Sequence, residues 1–175
     1  MKKSLSDWQF WGFVFTGALG ALLHFLYDWT GNNAIIGSFS AVNESIWEHM
    51  KLMFFPMLIF AVIESRFLGK EYENFWCVKL VGIILGTVLI PVLFYTIGGA
   101  FGKTPDFVNI IIFYLSAYIA YMVETRLLEK GVFACKHKKM AIIILYLLAV
   151  VFVIFTFYPP QIPLFLDPVS GSYGI

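Results

Sequence analysis

Apolar residues run along this chain in five long blocks, near 8–29, 46–67, 75–97, 107–128 and 140–158, with short polar stretches between them. Each block is long enough to cross a bilayer, which takes about 20 helical residues. The pattern predicts an all-α integral membrane protein. It would be one domain over 1–175, a five-helix transmembrane bundle followed by a tail at 159–175. Lys2 and Lys3 precede the first block, as they would a signal peptide. Asp7, many aromatics and the lack of a small-residue cleavage site speak against that reading.

Composition strengthens the prediction. Hydrophobic residues make up 60% of the chain and charged residues 13%, with a mean hydropathy of +0.82. Soluble domains carry about 25% charge. A net charge of +1 argues against a nucleic-acid partner. The sequence has no Gly-rich phosphate loop, no CxxC and no HExxH. Its two cysteines, Cys77 and Cys135, make no disulfide framework.

The cations orient the chain. Lys2, Lys3, Arg66, Lys70, Lys79, Arg126, Lys130, Lys136, Lys138 and Lys139 fall in one set of connections, which is 10 of the 12 Lys and Arg residues. Cytoplasmic loops hold the excess of Lys and Arg. The expected protein is therefore a multi-pass protein of the cytoplasmic membrane, N-terminus in and C-terminus out. Trp8, Trp11 and Trp76 then sit at inner boundaries, and Trp29 and Trp47 at outer ones. Both cysteines fall at the cytoplasmic face, where thiols stay reduced, so no disulfide between them is expected.

A weak repeat links Glu64-Ser65-Arg66 to Glu124-Thr125-Arg126, with an offset of 60 residues. It suggests two hairpins in parallel plus a fifth helix. Each Glu-x-Arg end reads most simply as an exposed ion pair, its Arg suited to a helix C-terminus. Gly82 and Gly86, and Gly17 and Gly20, are small residues that let helices approach closely in lipid. Pro56 and Pro91 predict kinks. The uncharged loop 31–42 is a candidate re-entrant segment, provided that protein or water covers its backbone.

The candidate chemistry lies where the first two blocks meet. Residues 43–49 read Asn-Glu-Ser-Ile-Trp-Glu-His. Ionisable groups at a membrane helix are costly and normally mark a partner or a function. Glu44 and Glu48 are four apart and would share a helical face, with Lys51 near it; His24 and Asp28 pair likewise on the first helix. The predicted topology brings both sets to one depth. Two imidazoles and carboxylates suit Zn, Mn or Fe. The reading makes His24, Glu48 and His49 the metal ligands and Glu44 or Asp28 the general base. Asn43, Lys51, Tyr27 and Asp167 would line the site. Each residue also has a plainer role: Glu44 in a first helical turn capped by Asn43, Glu48 and Lys51 as an i, i+3 ion pair, His49 as an interfacial hydrogen bonder. The proline-rich segment 158–168 either folds back over the outer mouth, bringing Asp167 to the cluster, or serves as an interfacial anchor.

The Asn43–His49 run and the closing Asp167-Pro168-x-x-Gly171-x-Tyr173-Gly174 resemble an uncharacterised family of small prokaryotic multi-pass membrane proteins, over nearly the whole length. The resemblance implies no activity. Two classes suit the residues. One is a metal-dependent membrane hydrolase or transferase, acting on a lipid or other membrane substrate at the outer face. The other is a small transporter, or a solute- or cation-binding subunit, using the same acids. A transporter needs a polar path through the inner half, where only Glu64 and Glu124 are available. Beyond the bilayer and a lipid or small-molecule ligand no partner is indicated, and nothing in the sequence points to a homo-oligomer.

Overall fold

The computed structural model describes residues 4–102, 105–131 and 135–175. Lys2, Lys3 and Lys103 lie outside the described residues. Five long helices, α1 (Leu5–Trp29), α3 (Ile46–Leu68), α4 (Phe75–Phe101), α5 (Asp106–Lys130) and α6 (Lys138–Phe157), are each long and apolar enough to cross a membrane. A one-turn helix, α2 (Ala34–Gly37), sits between α1 and α3, and a 3-10 turn (Pro163–Phe165) opens the tail. The described residues contain no strand, only an isolated bridge between Leu166 and Tyr173.

The helix ends follow local chemistry. At α1, Ser4 Oγ accepts the Asp7 N–H and the Asp7 carboxylate accepts the Ser4 N–H, a reciprocal cap. Ser45 starts α3, its hydroxyl accepting the Glu48 N–H. Gly131 ends α5 at φ 55°, a left-handed conformation that glycine adopts without strain. Pro56 and Pro91 lie inside α3 and α4, which continue through them.

Helix α3 is central. It packs on α1, α4 and α6, and Met53, Phe54, Met57 and Phe60 bury against Ile83, Ala117, Tyr121, Leu145 and Phe152. The outer helices turn Leu22, Val88, Ile111 and Leu147 outward. Lipid tails are as apolar as leucine, so such faces cost nothing in a bilayer. Glycine sets the closest approaches. A Cβ on Gly82 would run into the Glu124 carboxylate, and one on Gly86 would crowd Ala120 and Met57. The GxxxG pair therefore joins α4 to α5 and α3 within the chain.

Two expectations fail at the end of the bundle where α3 stops and α4 starts. Glu64 and Glu124 do not form exposed pairs with Arg66 and Arg126. Both are buried on the Lys79 ammonium, Glu124 at 2.6 Å, and Gln9 donates to Glu64 at 2.7 Å. The arginines point outward. A carboxylate one turn inside the bundle finds stronger attraction in a buried ammonium than in an exposed guanidinium. Cys77 and Cys135 are joined as a disulfide, with Cα atoms 5.7 Å apart. Cys135, just before α6, lies beside the first turn of α4, which brings the two thiols within bridging range.

Candidate functional site

The opposite end of the bundle gathers the start of α3, the ends of α1, α4 and α6, the start of α5 and the tail. Ser45 decides the layout there. Because it is the N-cap of α3, Glu44 lies before the helix and Glu48 inside its first turn. The two acids, expected on one helical face, point to different places.

Glu44 reaches the imidazoles. Its carboxylate oxygens lie 3.6 Å from His24 Nε2 and 3.6 Å from His49 Nε2. One ligand atom from each of the three residues falls within a sphere where all lie within 4.8 Å of one another. The 3.6 Å separations are longer than hydrogen bonds, which run from about 2.7 to 3.2 Å. They suit two donors on one tetrahedral ion, which stand about 3.4 Å apart when each is 2.0–2.2 Å from the metal. His49 Nδ1 lies 2.9 Å from the Ser45 carbonyl. A proton on Nδ1 makes that hydrogen bond and leaves the Nε2 lone pair facing Glu44, the usual second contact of a metal-ligating histidine. His24 Nδ1 is buried without a hydrogen-bond partner.

Glu48 is elsewhere. Its carboxylate takes the Lys51 ammonium at 2.5 Å, the Val42 N–H at 3.1 Å and the Thr156 hydroxyl at 3.3 Å. Lys51 also donates to the Gly37 carbonyl and to Thr156. This buried pair ties α3 to α6 and to the loop 31–42, which packs on the bundle through α2. Tyr27 is buried against Gly37. Asp28 is exposed one turn beyond His24 and close enough to act on it electrostatically.

The tail completes the site. Asn43 accepts the Ser45 N–H and donates to the Gly174 carbonyl, and the Ile175 N–H reaches the Thr156 carbonyl. Phe165 packs at a tilt against Trp47, which also meets Phe152. Asp167 folds the turn after it, accepting from the Val169 and Ser170 N–H groups and from the Ser170 hydroxyl. The tail thus lies over this end of the bundle.

Two clefts meet at the three residues. A cavity of about 620 Å³ runs between α3, α4, α5 and the tail, walled by Ile90, Phe94, Ile112 and Leu166. A second, of about 400 Å³, runs between α1, α3 and α5, walled by Gly17, Ala21, Leu52 and Tyr114. Both include His24, Glu44, His49, Asn109 and Phe113. Volumes of 300–1,000 Å³ with apolar walls and a few convergent polar groups are typical of small-molecule sites. Asn109, whose Oδ1 is buried without a partner, is the residue that the sequence reading missed. It is the one amide in the α5 block, near the end that carries the histidines.

No curated protein and no solved structure matches the chain. Every residue of the Asn43–His49 run has a structural task at this end of the bundle, and the Asp167–Gly174 segment closes over it. A family model covers residues 1–175 in full, and the chain belongs to that family, the family of unknown function DUF6512.

Proposed function

We propose that His24, Glu44 and His49 hold one divalent transition metal, Zn, Mn or Fe, and that the protein is a metal-dependent membrane hydrolase or transferase acting on a lipid or similar membrane substrate. The observation that carries this reading is the spacing of the three ligand atoms, with His49 fixed by the Ser45 carbonyl. Glu44 takes the ligand role first given to Glu48, whose carboxylate is occupied by Lys51.

The clefts support the substrate class. Their walls are apolar, and their shared polar groups stand together at the mouth. An amphipathic molecule would place its reacting bond at Glu44 and the histidines, its chains against Ile112, Phe113 or Tyr114, and a polar atom toward Asn109. A metal there supplies Lewis acidity to an ester or phosphoryl oxygen. Asp28, one turn from His24, is the carboxylate left to accept a proton. By the distribution of cations, this end faces outward.

The transport reading uses the same acids and needs a polar route between the ends. The far polar groups are closed on one another around Lys79, and Met53, Met57 and Phe60 fill the core of α3 between. That favours a one-sided site.

The test is metal content of the detergent-purified full chain by mass spectrometry. Near-stoichiometric Zn, Mn or Fe is expected in the wild type. Glu44→Gln and His49→Ala should each lose it, while Glu48→Gln keeps it. The Glu44 side chain is 48% exposed, so its variant tests the site without disturbing the core. A wild type free of metal after supplementation would end the metal reading.

A further inference from the structure

A second cavity system lies at the other end of the bundle, far from His24 and His49. A groove of about 600 Å³ opens between the α3–α4 turn and the start of α6. Lys70 enters it from the α3–α4 turn, Lys136 from just before α6, and Lys138 and Lys139 from the first turn of α6. Its one carboxylate is Glu73; its floor includes Trp76 and Phe75. Lys70 and three cations 66 or more residues after it therefore converge on one concavity, with three positive charges in excess among its lining residues and Glu71 and Glu129 near Tyr72 at its edge. Spread-out lysines would satisfy the orientation of a membrane protein equally well. Their gathering asks for a ligand.

Three further features point to an anion. The starts of both α4 and α6 face this region, and neither has a side-chain cap or an acidic residue in its first turn. The free N–H groups at such starts favour negative charge. Asn74, the residue placed to cap α4, instead donates to the Leu127 carbonyl. The Cys77–Cys135 disulfide lies in the wall and anchors the basic segment beside the first turn of α4.

The groove sits at the ends of the spans, where headgroups lie. Below it, the outward face of α6 carries exposed Met140, Ile142 and Ile143. We propose that this groove binds the phosphate-bearing headgroup of an anionic phospholipid of the surrounding bilayer, with an acyl chain along that face of α6. Basic pockets between membrane helices recognise such headgroups in this way. The apolar continuation on α6 selects a lipid over a free phosphate ion.

The experiment incubates the detergent-purified full chain with equal phosphatidylglycerol and phosphatidylcholine and reads retained lipid by native mass spectrometry. Phosphatidylglycerol should be retained in preference. Lys138→Gln and Lys139→Gln should each weaken its retention about five-fold, the weight of one cation near an anionic surface. Lys138→Arg should keep it, as should Lys130→Gln, which removes a cation at the same end outside the groove. Melting temperatures should stay level across these surface variants. Equal retention of the two lipids would overturn the proposal. So would an equal loss in Lys130→Gln, or displacement by inorganic phosphate, which would make a free anion the ligand.

Discussion

Glu44 and Glu48 are the same residue type four positions apart, and Ser45 between them separates their fates. Glu48 faces inward and is neutralised by Lys51, both fully buried. Glu48→Gln leaves an ammonium without its counter-charge. Removing one partner of a buried pair costs about 3–5 kcal/mol, so this variant should melt well below the wild type in detergent. An unchanged melting temperature would show that Lys51 finds other partners sufficient. Asp167 offers a pH test. Its burial opposes ionisation, but hydrogen bonds from Ser170 and from the Val169, Ser170 and Glu44 N–H groups together outweigh it, so its pKa lies below the ordinary 3.8. A depressed carboxylate pKa stabilises the fold above the unfolded value, and that stability is lost as pH falls through the folded one. The wild type should therefore out-melt Asp167→Asn at neutral pH, and the gap should shrink below pH 3.8. Apart from Asn109, the polar residues of the site were legible in the sequence, but their grouping was not. Helical periodicity places Glu44 on the Glu48 face only if the helix already includes Glu44, and the cap stands one residue later.

At the scale of elements, the five spans follow directly from hydropathy, since a membrane helix must be apolar along its length and needs no partner to declare itself. Their mutual packing is less legible. Gly82 and Gly86 announce a close approach, yet which helix approaches depends on tertiary arrangement. The answer, α5 with Glu124 over Gly82, explains why the Glu-x-Arg ends are not what they first suggest. Lys79 was the available signal: a cation one turn inside a span, with no acid beside it in sequence. Gly82→Ala should drive α4 from α5 and lower the melting temperature. Gly99→Ala, with open space around its Cβ position, should leave it level or raise it, since alanine favours a helix by about 1 kcal/mol over glycine. Similar losses at both positions would mean that helix propensity, not contact, sets the effect.

For the molecule as a whole, the bundle has two chemically distinct ends. One carries two histidines, a carboxylate and amphipathic clefts; the other carries lysines and a closed ion triad. The distribution of cations predicts that the lysine end faces the cytoplasm, whereas the Cys77–Cys135 disulfide at that end argues for the oxidising side. Ser172→Cys should react with a membrane-impermeant maleimide in intact cells, and Lys130→Cys only after lysis. The reverse pattern would turn the protein over and put the histidine site inside.

The bond from Asn43 to Gly174 joins positions separated by 131 residues. The wall of the larger cleft is therefore supplied by a segment that emerges only after α6 has been inserted. During synthesis, α1 and α3 precede Leu166 and Pro168 by the whole of α4, α5 and α6. The larger cleft is therefore complete only once the tail has returned over the start of α3, whereas the smaller one is built entirely from α1, α3 and α5 and the residues beside them.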